Sequence, residues 1–348
     1  GRVVITGADA GVGLELARLF SQHPKVRMLL GCRQAPKLSQ KLLEKASAGE
    51  EPYCFPRAFC LTLELLDFES TQSFAKEAHK FLAESNRPGL RLLINNAGIK
   101  ITERDTKGQP PPRTKYGLSE TWQTNFLSPF LITELIAKLR ENAGPGVLNC
   151  PLRVVQVSSG REDESNLDRD ILSSVLKGSV SPNEYADSKR ALLLWTSVRA
   201  QSLAFKGSVF VHAANPGRVD TRLGLYWVHP WAFWLSKPVR ALAYATLSEG
   251  ALNVAAPGLH QQAAGKFGHY SGGEKMLEDL VIWRMPDKQL AVHLVRWATS
   301  ATALEARSGG RPLSETGRPL SLTDLAGPGP EMQEDKWSTP ERRWAHAD

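Results

Sequence analysis

Long apolar runs are missing from this 348-residue chain. None approaches the roughly 20 residues that a membrane-spanning helix needs. Cysteine is scarce, with four residues (Cys32, Cys54, Cys60 and Cys150) and no CxxC pair. Cys54 and Cys60 are close enough in sequence for a bridge to stay open, but reduced thiols are the expectation. The eight histidines are scattered, so no Cys/His cluster has metal-ligand spacing and no metal is expected. The net charge is +7. No basic stripe is interleaved with aromatics, which argues against a nucleic-acid partner. The excess positive charge suits an ordinary basic enzyme, and attraction to a polyphosphate cofactor or an anionic membrane surface stays open. An initiator Met and a leader-like stretch are also absent. A processed or truncated product is therefore expected, with any anchor lying upstream.

What is present alternates. Apolar, β-branched runs at residues 3–6, 26–32, within 57–66, 90–95, 153–158 and 208–213 read as strands. Helical patterns fall between them, at 11–22, 71–85, 119–140 and 182–205. Such alternation argues for an α/β fold with a single doubly wound parallel sheet and helices on both faces. The nearly continuous apolar run 153–157 fits a strand covered on both faces. Residues 287–306 read as one further amphipathic helix, and 107–117 and 142–151 as surface loops. The expected organisation is one catalytic domain over 1–306, with a disordered tail over 307–348 that is rich in Gly, Pro, Ser and charge.

The first predicted strand runs straight into Thr6-Gly7-Ala8-Asp9-Ala10-Gly11-Val12-Gly13, and a helix follows. Gly7 permits the tight turn, Gly11 lets the backbone approach a pyrophosphate, and Gly13 lets helix and strand pack closely. The helix N-terminus, around Val12, then offers free N–H groups to phosphates. Three glycines are also compatible with a plain βα turn. The second strand ends Gly31-Cys32-Arg33. No acidic residue stands there to accept from a ribose 2′-hydroxyl, and Arg33 can pair with a 2′-phosphate. This favours NADP(H) over NAD(H), the alternative being a solvated surface arginine. Asp67 can accept from an adenine amino group or cap a helix.

Tyr185-Ala-Asp-Ser-Lys189 places a phenol and an ammonium one helical turn apart. A neighbouring ammonium, together with a cationic nicotinamide, favours the phenolate and draws the phenol toward neutrality. Ser159 ends a buried strand on the sheet edge where doubly wound folds bind ligands, so its hydroxyl can hold a substrate oxygen; a loop-initiating serine is the alternative. Asn125, an amide in an apolar stretch just before Pro129, wants a buried partner and can anchor a water leading to Lys189. After the sixth strand, Pro216-Gly217 can bring backbone against a nicotinamide carboxamide, with Thr221 close behind.

Together these segments resemble the short-chain dehydrogenase/reductase family over roughly residues 2–275. The resemblance rests on the Thr6–Gly13 turn, Asn95-Asn96-Ala97-Gly98, Asn125, Ser159, Tyr185, Lys189 and Pro216-Gly217. It implies that Asn125, Ser159, Tyr185 and Lys189 form the catalytic tetrad, and that Asn95 and Ala97 support the sheet and border the cofactor. Gly31-Cys32-Arg33, the long stretch from Ser159 to Tyr185 and the aromatic segment after Thr221 look like the retinol- and polyprenol-dehydrogenase-like branch. That branch implies a lipophilic substrate and an intracellular enzyme associated with a membrane such as the endoplasmic reticulum through an N-terminal anchor. Residues 221–250 are expected to form a substrate lid. Trp227, Trp231 and Trp234 within it suit an apolar cover or a bilayer interface, or else a buried cap or a homodimer contact. The run Gly160-Arg161-Glu162-Asp163-Glu164 is more charged than a lipid site calls for.

Overall fold

Val3, Val4 and Ile5 are fully buried, as a parallel strand with helices on both faces requires. The computed structural model describes residues 1–47, 57–84, 89–101, 109–143, 150–176, 181, 183–201, 209–217, 219, 245–259, 269–271 and 288–307. Its strands are β1 (Arg2–Thr6), β2 (Arg27–Cys32), β3 (Ala58–Thr62), β4 (Arg91–Asn95), β5 (Leu152–Val157), β6 (Val209–Asn215) and β7 (His269–Ser271). They form one sheet in the order β3-β2-β1-β4-β5-β6-β7, and every pairing is parallel. The expected doubly wound sheet is therefore present, with β7 added. The order reverses between β1 and β4, so a ligand crevice opens at their carboxyl ends.

The helices are α1 (Gly11–Ser21), α2 (Ala35–Ser47), α3 (Phe68–Ala83), a composite α4, α5 (Arg169–Leu176), α6 (Glu184–Gln201), α7 (Leu247–Leu259), α8 (Lys288–Ala301) and α9 (Leu304–Arg307). Two apolar cores lie on opposite faces of the sheet. One gathers Leu16, Phe20 and Val254 from α1 and α7; the other gathers Phe74, Trp122, Phe126, Trp195 and Trp297 from α3, α4, α6 and α8. Trp122 and Trp297 meet edge to face at 5.4 Å, as do Phe130 and Trp195. These rings hold α4 and α6 together, the two helices that carry Asn125, Tyr185 and Lys189.

α4 joins Glu120–Trp122, a π-helical stretch Gln123–Leu127, and Ser128–Asn142. The predicted helix 119–140 is thus real but widened in one turn. Pro129 explains the widening. It has no N–H for the carbonyl four residues back, which belongs to Asn125, and its ring crowds that carbonyl. The Ser128 N–H bonds Gln123 O instead, five residues back, as in a π-bulge. The expected helix 287–306 is interrupted between α8 and α9, where Ala303 takes φ 47°. Cys32, Cys60 and Cys150 are free thiols; Cys54 lies outside the described residues. Among the described residues no group of His, Cys, Asp or Glu could hold a metal, and no helix is long and apolar enough to cross a membrane.

Candidate active site

The glycine turn is built against the loop after β4. Gly7 and Gly11 have φ +66° and +53°, a region in which side chains are strained. A Cβ on Gly7 would lie 2.8 Å from Ala97 Cα, and one on Gly13 would lie 2.1 Å from Gly7 O and 2.5 Å from Asn96 Nδ2. The Thr6 hydroxyl accepts from the N–H groups of Asn96 and Ala97, both at 3.1 Å. Asn96 Nδ2 donates to Thr6 O at 3.0 Å. The carboxyl ends of β1 and β4 are thereby locked together with the N-terminus of α1 above them. Ala10, at the N-cap, makes no side-chain cap bond, so the first N–H groups of α1 stay available to a phosphate. The backbone cradle fits a dinucleotide pyrophosphate.

The other cofactor candidates separate. Arg33 is exposed just beyond β2, where a guanidinium can reach a phosphate. Asp67 caps α3, accepting from Glu69 N–H at 3.0 Å; it also accepts from the Tyr116 hydroxyl at 2.9 Å and pairs with Lys115 at 3.0 Å. Its carboxylate is held below the usual range, chiefly by Lys115 and the Glu69 N–H acting against desolvation. Asn95 turns into the core and donates to Thr133 Oγ1 at 3.0 Å, so its side chain ties β4 to α4. Gly217 takes φ +83° and donates its N–H to Asn215 Oδ1 at 3.0 Å; Asn253 Nδ2 reaches Pro216 O at 3.3 Å. Thr221 and the aromatic segment lie outside the described residues.

Asn125, Ser159, Tyr185 and Lys189 converge. Asn125 is buried, and its amide is saturated by backbone and a hydroxyl. Oδ1 accepts from Ile99 N–H at 2.8 Å; Nδ2 donates to Ile99 O at 2.9 Å and to Ser188 Oγ at 3.1 Å. Ser188 in turn donates to Tyr185 O at 2.8 Å. Lys189 is buried and donates to Val157 O at 2.8 Å. A Cβ on Gly98 would meet Asn125 Oδ1 at 3.3 Å and Lys189 Nζ at 3.4 Å, so the amide and the ammonium both lie against the loop at this residue. Ser159 Oγ accepts from Arg161 N–H at 3.3 Å, capping the short turn Gly160–Glu164, and its hydroxyl is near enough to the Tyr185 phenol to lower it. α6 is fixed at its start by Ser119 Oγ donating to Glu184 at 2.8 Å and by Ser165 Oγ donating to Asp187 at 2.6 Å. Sequence reasoning misses Ser188 and Val157 O in this network. A backbone acceptor leaves no side-chain signature, and Ser188 reads as filler between Tyr185 and Lys189.

Among the chain's own groups the Tyr185 phenol is pushed up: desolvation leads, the Ser159 hydroxyl and Arg161 pull the other way, and Glu162 adds a smaller raise. Lys189 sits 6.0 Å from the ring centroid, with one of its three donors on Val157 O. Burial lowers Lys189 itself to about 8. A second ammonium, from Lys100, stands 5.6 Å from the same ring centroid; burial lowers it to about 8 as well.

Known proteins share this layout. Residues 2–167 match the family model described as short chain dehydrogenase. The human polyprenol dehydrogenase is 28% identical over 286 residues, covering 80% of this chain and 78% of that protein. The Danio rerio polyprenol dehydrogenase is 30% identical over 254 residues, covering 71% and 70%. Mouse retinol dehydrogenase 11 is 31% identical over 231 residues, covering 64% and 63%. A crystal structure of an actinorhodin polyketide ketoreductase with NADPH superposes with a TM-score of 0.52 at 20% identity, covering 78% of this chain and 96% of that one, a likeness of fold. The chain is an oxidoreductase of the short-chain dehydrogenase/reductase family, which binds a nicotinamide cofactor.

Proposed function

We propose that this protein interconverts a carbonyl and an alcohol with NADP(H) as cofactor, on a lipophilic substrate of the retinoid, polyprenoid or steroid-like class. The observation that carries the chemistry is the placing of Tyr185 and Lys189 at the carboxyl end of β5, with Lys189 Nζ donating to Val157 O at 2.8 Å and standing 6.0 Å from the Tyr185 ring centroid. Gly7, Gly11, Val12 and Gly13 would hold the pyrophosphate, Arg33 the 2′-phosphate, and Lys189 the nicotinamide ribose, with Ala97, Pro216, Gly217 and Thr221 lining the rest. When bound, the cofactor supplies or accepts a hydride at the substrate carbon. Tyr185 Oη gives a proton to the substrate oxygen in reduction and takes one in oxidation. Ser159 orients that oxygen, and Asn125 fixes the Ile99 backbone beside Lys189. Support for a lipophilic substrate comes from relatives named for polyprenol and retinol and from the tryptophan-rich segment 221–250, proposed as a lid on a catalytic domain spanning 1–306.

A second reading, a small polar carbonyl, is favoured by the part-buried Lys100 close to the Tyr185 ring and by the charged Gly160–Glu164 turn. A cofactor-oxidation screen over retinoid, polyprenoid, steroid and small polar aldehydes separates the two, run with NADPH and NADH in parallel. Turnover confined to small polar aldehydes refutes the lipophilic assignment, and a preference for NADH refutes the role of Arg33. Tyr185→Phe is expected to abolish turnover while NADPH still binds; retained turnover removes Tyr185 from the chemistry.

A further inference from the structure

The charged turn after β5 divides into an outer and an inner part. Asp163 and Glu164 face solvent, whereas Glu162 turns inward with 4% of its surface exposed. Glu162 Oε2 accepts from the Ser158 hydroxyl at 2.7 Å, and its N–H donates to Ser159 O at 3.2 Å. Two successive residues at the end of β5 thus each hold a different ionisable group. The carbonyl of Val157 holds the Lys189 ammonium, and the hydroxyl of Ser158 holds the Glu162 carboxyl; the same ammonium stands 6.0 Å from the Tyr185 ring centroid.

We propose that Glu162 is a positioning residue that acts, through its tether to Ser158, on the charge states of Tyr185 and Lys189. Ionised, it keeps Lys189 cationic and withholds the phenolate form from Tyr185. The proposal rests on the reading of Tyr185 as the proton-exchanging group. Its basis is placement: the Glu162 carboxyl and the Lys189 ammonium are tied to adjacent residues of one strand end, and that ammonium stands 6.0 Å from the Tyr185 ring centroid; a negative charge there raises both groups. Other charges surround it. Arg161, Asp163 and Glu164 share its turn, Tyr185, Asp187, Lys189 and Arg190 lie on α6, and Lys100 beyond β4 interacts with Arg161 and Glu164. Arg161 opposes Glu162 at Tyr185, and Arg190 lowers Glu162 itself. Burial outweighs these and lifts Glu162 to about 7, so its charge changes near neutral pH.

Replacing this carboxylate with a neutral side chain removes a negative charge, so Tyr185 ionises more easily. In a partly buried site a Coulombic shift of this kind is on the order of one pH unit. Tyrosinate absorbance against pH measures it without any substrate, and Tyr185→Phe isolates Tyr185 among the six tyrosines. In Glu162→Gln the Tyr185 midpoint is expected to fall by about one pH unit, and in Glu162→Asp, which keeps the charge, to return toward the parent value. An unmoved midpoint in folded Glu162→Gln overturns the proposal. If circular dichroism shows that form unfolded, Glu162→Leu, which needs no hydrogen-bond partner, takes its place in the titration, and an unmoved midpoint there overturns the proposal equally. A lowered midpoint in a protein whose Tyr185→Phe form still turns over would leave the coupling standing and remove the catalytic reading instead.

Discussion

Asn125 and Ile99 clasp each other through two hydrogen bonds, 2.8 Å into Oδ1 and 2.9 Å out of Nδ2. A side-chain amide therefore completes the backbone of the loop after β4, as a neighbouring strand would. Asn125→Asp keeps the acceptor and loses the donor, leaving Ile99 O facing a carboxylate. The expected cost is about 1–3 kcal/mol of stability, read from urea unfolding, with catalysis falling alongside. Unchanged unfolding midpoints would show that the clasp contributes nothing.

Gly13→Ala tests the cofactor turn. The new methyl would sit 2.1 Å from Gly7 O, a backbone atom already fixed by Asn96 Nδ2 at 3.2 Å. The turn must open, at a cost of roughly 1–3 kcal/mol or more. NADPH binding, followed by fluorescence titration, is expected to disappear while far-ultraviolet circular dichroism stays native-like.

Arg33→Ala is expected to discriminate between cofactors. Loss of a charge-assisted contact worth about 1.5–3 kcal/mol weakens NADPH roughly ten-fold or more, while NADH is unaffected because it has no 2′-phosphate. Equal loss for both cofactors would make Arg33 a structural residue.

His212 on β6 is fully buried, and burial lowers its pKa from 6.5 to about 4, with Arg153 adding to the effect. Below pH 6.5 the unfolded chain takes up a proton that the folded protein refuses until about pH 4. The stability is therefore complete above the upper value and is lost as the pH falls toward the lower one, by on the order of 3 kcal/mol. Chemical unfolding at pH 7.5 and pH 5 captures about 2 kcal/mol of this loss, and His212→Gln is expected to shrink it. The same slope in both proteins would assign the acid sensitivity to other groups.

Much of the architecture is legible in the residues. Buried runs such as Val3-Val4-Ile5 announce two-sided strands, and the Gly7, Gly11, Gly13 spacing announces the turn, because no other side chain fits those backbones. The Tyr185–Lys189 spacing places both groups on one face of α6. Other features leave fainter marks. β7 has three residues, too few to show a period. The π-helical turn is implied by Pro129 four places after Asn125, but proline at the start of a helix usually passes without a bulge. Asn95 and Asp67 carry the right chemistry for a cofactor, yet Thr133, Tyr116 and Lys115 engage them; those neighbours come from distant parts of the chain. The upward shift of Tyr185 comes chiefly from its burial, which spacing along a helix does not encode.

The end of β5 carries a consequence for how the enzyme comes to be active. Val157 ends β5 and Ser158 still pairs with β6 through its N–H to Ala214 O, so the ammonium and the carboxyl cannot be put in place separately. A slip of one residue against β4 or β6 would invert which side chains face the helices and scatter both at once. Activity in this protein is therefore a gauge of sheet alignment. During refolding it should return in step with the pairing of β5 to its neighbours, with no interval in which a correctly aligned sheet waits for its chemistry.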